Sequence, residues 1–174
     1  MNLLHDISAG EKAPEIINVI IEIPRGSKNK YEIDKETGLI KLDRVMYTAQ
    51  DYPFDYGFVP QTDWYDGDAL DVVVLTTHPL PVGILLEARP VAVMHMVDAG
   101  ERDEKIIAVP KADPRFADVK DLKDINPHTL KEIEHFFLTY KQLQNKEIVI
   151  NGTEGAEVAR VCVVEAQALY KAKM

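Results

Sequence analysis

Three short runs of β-branched and apolar residues constrain this chain most: Ile16–Ile23 (IINVIIEI), Val72–Leu75 (VVVL) and Ile106–Val109 (IIAV). Each is too short for an ordinary helix and is bounded by turn residues, so each reads as a strand, the latter two buried. The second and third runs follow acid-rich turns. Asp66-Gly67-Asp68-Ala69-Leu70-Asp71 leads into the valines, and Asp98-Ala99-Gly100-Glu101-Arg102-Asp103-Glu104-Lys105 leads into the isoleucines. The grammar is the same in both, acids and then a strand. On neighbouring strand ends the two turns would face each other across a cleft.

Asp66, Asp68 and Asp71 lie within one hexapeptide that contains no lysine or arginine. Anions that close raise each other's pKa unless a cation intervenes. Oxygen ligands at this density suit a hard divalent ion, Mg²⁺ first and Mn²⁺ or Ca²⁺ next. Taken alone, the hexapeptide is equally well explained as a solvated acidic turn. It is not an EF-hand: counted from Asp66, Leu70 and Thr77 occupy ligand positions and Asp71 the glycine position.

Along the remaining chain, alternation puts Glu22 on the face of Ile20 and Asn18, where it reads as solvent-facing. Lys30–Asp34 and Leu39–Leu42 flank Lys35-Glu36-Thr37-Gly38, which predicts a hairpin. Lys30, Glu32 and Asp34 share one face of its first arm. Tyr52–Phe58 is aromatic and punctuated by Pro53 and Gly57, and its rings default to the core. Ile84–Val97 is one strand bent at Pro90, or two strands. Residues 111–125 read as a loop with one short helical turn. Asn126-Pro127 then opens a helix whose apolar face carries Leu130, Ile133, Phe137, Tyr140 and Leu143. Glu147–Ile150 reads as a short strand and Glu154–Lys171 as a second helix.

Length and a 46% hydrophobic content suit one domain over residues 1–174 with a real core. No stretch approaches the roughly 18 apolar residues of a membrane span, and the N-terminal residues lack a secretory h-region. The lone Cys162 fits a reducing, cytoplasmic setting. A net charge of −9 argues against nucleic-acid or anionic-membrane partners. Ser8 and Ser27 are the only serines and neither lies in Gly-x-Ser-x-Gly, no Walker A or Gly-x-Gly-x-x-Gly loop occurs, and the five histidines form no His-Glu-x-x-His pair. Carboxylates with Lys, Arg and Tyr at strand ends remain, a set suited to metal-assisted phosphoryl transfer to water. A calcium-binding barrel has no need of those cations. An OB-type nucleic-acid binder would need a basic groove.

Seven segments in order carry a family resemblance: Val19–Pro24, Lys30–Asp34, Asp43-Arg44, Tyr52-Pro53-x-x-Tyr56-Gly57, Asp66-Gly67-Asp68-x-x-Asp71, Asp98-x-x-x-x-Asp103-x-Lys105 and Phe136-Phe137-x-x-Tyr140-Lys141. The chain resembles the soluble family I inorganic pyrophosphatases of the compact prokaryotic type. Ala69 departs from the Pro or Glu usual after the second acid, and Gly152-Thr153-Glu154 from the usual Gly-Trp-Glu. The resemblance implies an α+β, mainly β fold: an OB-like, twisted five-stranded β-barrel with two flanking helices. It implies Mg²⁺-dependent hydrolysis of pyrophosphate to two orthophosphates by a metal-activated water attacking in line, in a homo-oligomer, with a hexamer favoured. On that resemblance Asp66, Asp71 and Asp103 hold the first metal. Asp98, Asp103, Glu22 and Glu32 serve further metals. Asp68 is the general base, and Lys30, Arg44, Lys105, Tyr56, Tyr140 and Lys141 bind phosphate oxygens.

Overall fold

The computed structural model describes residues 1–174. Nine strands and two long helices follow in order: β1 (Ile17–Ile23), β2 (Asn29–Ile33), β3 (Ile40–Val45), β4 (Asp55–Phe58), β5 (Asp71–Val74), β6 (Leu85–Asp98), β7 (Glu101–Arg102), β8 (Lys105–Pro110), α1 (Pro127–Thr139), β9 (Ile148–Gly155) and α2 (Ala156–Lys173). Five strands close a ring. β1 pairs with β4, β4 with β5, β5 with β8, β8 with β6, and β6 returns to β1. All these pairings are antiparallel except β5–β8, which is parallel. β7 and β9 extend β6 beyond the ring, and β2–β3 form a separate hairpin. This is the expected barrel with its two helices.

The valine run is continuous because both its faces are covered. Val72 and Val74 pack in a cluster with Ala159, Cys162, Val163 and Ala166 of α2, while Val73 packs in a cluster with Ile133, Phe136 and Phe137 of α1. A strand buried on two sides keeps no polar alternation. The Tyr52–Tyr56 aromatics join the α1 cluster: Tyr52, Phe54 and Tyr56 are buried, and Tyr52 lies 4.8 Å from the Phe136 ring. Gly57 is dictated by the close crossing of β1, since a Cβ there would lie 1.9 Å from the Ile20 carbonyl oxygen. β6 is one strand, with register shifts after Pro90 and at His95–Met96 that bend it to serve β1, β8 and β9.

Asn126 caps α1 through His128 N–H at 2.8 Å, with Pro127 as its first residue. Three local expectations change. Two 3₁₀ turns occupy 114–116 and 122–124 rather than one. β9 runs to Gly155, so α2 begins at Ala156 rather than Glu154. From Ala92 to Asp98, β6 offers backbone groups on one edge that β9 pairs with. Leu143 stays 68% exposed because the chain leaves α1 before reaching it.

Candidate active site

The parallel pairing of β5 with β8 sets Asp71 opposite Lys105, so the turns leading into both strands lie at the same end of the barrel. β6 runs antiparallel to β8, which delivers Asp98 to that end as well. The β2–β3 hairpin and the residues following α1 complete a cleft of about 470 Å³. Glu22, Lys30, Glu32, Asp66, Asp68, Asp71, Asp98, Asp103, Lys105, Tyr56, Tyr140 and Lys141 all line it. Residues more than a hundred positions apart in sequence therefore share one wall.

Carboxylate oxygens of Asp66, Asp71 and Asp103 all lie within 4.8 Å of one another. Lys105, 3% exposed, reaches Asp71 at 2.6 Å and Asp103 at 2.5 Å. Burial disfavours its charge, but those two carboxylates outweigh it and hold the ammonium well above its usual pKa. One buried cation against three acids leaves the group electrically short of positive charge. Asp66 is accordingly pushed up to about 7, first by burial and then by Asp71 and Asp103. Asp71 is raised by burial, with Asp103 adding to it. A close set of hard oxygen donors with surplus negative charge fits a divalent cation such as Mg²⁺.

Glu22 overturns the solvent-facing reading. The β1–β4 register skips between Ile21 and Ile23, a bulge that leaves Glu22 unpaired across β4. Its side chain is buried, and Oε1 accepts from Ile33 N–H at 2.7 Å. The face shared with Ile20 is itself covered, because Leu4 packs with Ile20 and Phe58. Burial, and next the Asp71 charge, push the Glu22 carboxyl up to about 8.

Cations and phenols stand among these acids in the same cleft. Lys30 pairs with Glu32 at 3.1 Å and Asp43 at 3.3 Å. Lys141 pairs with Asp98, and burial, helped by the nearby Arg44 charge, lowers its pKa. Burial raises the hydroxyl pKa of Tyr56 and Tyr140, so both are neutral donors at physiological pH. Arg44 stands opposite Lys30 in the hairpin and pairs with Asp43 at 2.8 Å, outside the cleft lining. Its buried Nε has no hydrogen-bond partner. Asp68 is open to solvent, 62% exposed at the side chain, and is held by Lys35 at 2.6 Å. Gly67, at φ +83°, makes the turn that presents it.

Some of the lining was not foreseen. Tyr52, Lys35 and Lys41 also face the cleft. Tyr52 stands in the same aromatic segment as Tyr56, and that shared segment was its one sequence signal. Lys35 and Lys41 carry no signal beyond their place in the hairpin.

The comparisons with known proteins agree with this architecture. The family model "Inorganic pyrophosphatase" matches residues 19–171. A soluble inorganic pyrophosphatase of Oryza sativa subsp. indica is 48% identical over 97% of this chain and 78% of its own length. Soluble inorganic pyrophosphatase 2 of Chlamydomonas reinhardtii is 46% identical over 96% of this chain and 87% of its own. The solved inorganic pyrophosphatase of Thermus thermophilus superposes with a TM-score of 0.94 at 43% identity, covering 98% of this chain and 99% of that one. With a matching family model over most of its length and relatives well above chance identity, this chain belongs to the inorganic pyrophosphatase family.

Proposed function

We propose that this chain hydrolyses inorganic pyrophosphate to two orthophosphates with Mg²⁺, by direct in-line attack of water and without a covalent enzyme intermediate. The observation that carries the reading is the three-carboxylate group of Asp66, Asp71 and Asp103 facing lysines and tyrosines in one cleft. Asp66, Asp71 and Asp103 would hold the first Mg²⁺, with Asp71 shared with a second. Asp98, Asp103, Glu22 and Glu32 would serve the ions that arrive with substrate. When bound, Mg²⁺ would offset the charge of pyrophosphate, and two such ions together would lower the pKa of water from ~16 towards ~7.

The chain's own residues do the remainder. Lys30, Arg44, Lys105 and Lys141 hold the phosphoryl oxygens, and Tyr56 and Tyr140 donate hydrogen bonds to them. Asp68 takes a proton as the water oxygen bonds to one phosphorus and the bridging P–O bond breaks. Its exposure suits it to pass that proton to solvent. No Ser, Cys or His lines the cleft, so none of these is the nucleophile, and the reading gives the carboxylates to the metals and to proton transfer.

The same reading includes a homo-oligomer, with a hexamer favoured, in which exposed Leu138 and Leu143 lie at subunit contacts. Cytoplasmic residence accords with the buried free thiol of Cys162. No helix is long and apolar enough to cross a membrane. The test is phosphate release from pyrophosphate with and without Mg²⁺, repeated on Asp68→Asn. Loss of a general base costs about 10²–10⁴-fold in kcat. Unchanged turnover in that variant rejects Asp68 as base, and Mg²⁺-independent release, or none at all, rejects the reaction as written.

A further inference from the structure

Glu104 is a buried carboxylate that the chemistry above does not use. It stands between Asp103 and Lys105, is 4% exposed, and is absent from the cleft wall that its two neighbours form. Oε2 accepts from Trp64 Nε1 at 2.6 Å, and Oε1 accepts from Arg102 Nε at 3.0 Å. The Arg102 guanidinium lies 5.1 Å from the Trp64 ring and 4.5 Å from the Tyr65 ring. With His95 Nδ1 also 3.5 Å from Oε1, Glu104 is held from three sides, in surroundings where an unpaired charge would be costly.

Trp64, for its part, frames the first acidic turn. Its N–H donates to the Asp68 carbonyl at 2.7 Å, and its own carbonyl accepts from Gly67 N–H at 3.0 Å. Its indole is 3% exposed. The indole–carboxylate bond therefore joins the backbone frame of Asp66–Asp68 to the segment that carries Asp103 and Lys105. The β5–β8 ladder pairs Asp71 with Lys105 at its first rung. That ladder fixes Asp71 against Lys105 and extends to neither Asp66 nor Asp103. The distance from Asp66 to Asp103 is set beyond the ladder, where the Trp64–Glu104 bond lies.

We propose that Trp64 and Glu104 are positioning residues: their hydrogen bond sets the spacing between Asp66 and Asp103, and through it the affinity of the cleft for a divalent ion. Neither touches the ion or the substrate. The inference rests on the reading of Asp66, Asp71 and Asp103 as the metal group. It predicts that a variant altering no charge in the cleft weakens metal binding, as loss of outer partners does elsewhere.

The test is calorimetric titration of the full chain with Mg²⁺ alone, without substrate, on Trp64→Phe, Glu104→Ala, Glu104→Gln and Glu154→Gln, each first shown to be folded by circular dichroism. Trp64→Phe keeps the ring bulk and the net charge but removes the donor, and is expected to weaken Mg²⁺ about tenfold, the low end of outer-partner losses. Glu104→Ala is expected to lose at least as much. Glu104→Gln retains a carbonyl for the indole and is expected to recover most of that loss. Glu154, which pairs with His95 at 2.7 Å, removes a charge from the same cluster without touching the indole bond. Glu154→Gln is expected to bind as the parent does. Parent-like affinity in Trp64→Phe overturns the proposal, as does equal weakening by Glu104→Gln and Glu154→Gln, which would indicate charge alone. A parent chain that binds no Mg²⁺ overturns the metal-site reading and this inference with it, an outcome distinct from the first two.

Discussion

Replacing Glu22 by glutamine isolates what it costs to keep a carboxylate ready for a cation. The Ile33 N–H bond to Oε1 at 2.7 Å survives, because the amide carbonyl still accepts. What disappears is a titrating group whose folded-state pKa is pushed from 4.5 to about 8 by burial and the Asp71 charge. Below the unfolded value both states hold the proton, and the group adds no cost. Between 4.5 and about 8 the unfolded chain has released its proton while the folded chain retains it. The unfolded state then binds fewer protons, so stability falls as pH rises, and levels off above the folded value. At ~1.4 kcal/mol per pKa unit, the full cost at high pH is about 5 kcal/mol. The metal-free Glu22→Gln protein should therefore match the parent near pH ~4 and exceed it increasingly up to pH ~8.5, with about 5 kcal/mol as the ceiling. Urea unfolding in chelator, at fixed protein concentration and with equal m-values, measures the difference. Added Mg²⁺ should restore the parent more than the variant, since a ligand that binds only the folded state stabilises it. A difference independent of pH, or a parent that gains on the variant as pH rises, would refute the reasoning.

Two further substitutions test the scaffold. Gly57→Ala sets a methyl 1.9 Å from the Ile20 carbonyl oxygen and 3.0 Å from Ile21 Cα, both backbone atoms of a buried strand. It should cost more than about 3 kcal/mol, and an unshifted melting curve would contradict the close β1–β4 crossing. Asn126→Ala removes the acceptor for His128 N–H and should cost about 1 kcal/mol in urea unfolding. Its turnover at saturating Mg²⁺ should remain that of the parent, because the cap lies at the far end of α1 from Tyr140 and Lys141.

Much of the barrel is legible because local signals agree. The three apolar runs, the Lys35–Gly38 hairpin loop and the Asn126-Pro127 cap each mark an element that forms. Glu22 resisted because alternation assumes an unbroken ladder, and a bulge at that residue breaks the register. The extent of β9 resisted because its polar residues show no clear period. Its partner, the free edge of β6 some fifty positions earlier, defines its length.

The convergence of the acids was legible only as a condition. Two turns with the same order of acids and strand meet only if the strands they lead into run parallel and adjacent. In an antiparallel pair, the turns before β5 and β8 would have opened at opposite ends of the barrel. The parallel pairing requires a long crossover, and the chain supplies one in β6, which leaves β5, crosses the barrel and returns Asp98 to the same end. The crossover is thus itself a carrier of site residues. A strand that only connected β5 to β8 would need no acid at its last position, whereas here Asp98 pairs with Lys141 in the cleft. Closure of the ring through β6–β1 then brings in Glu22 from the other side. The order of strands around the barrel, rather than any one motif, turns scattered carboxylates into a single site.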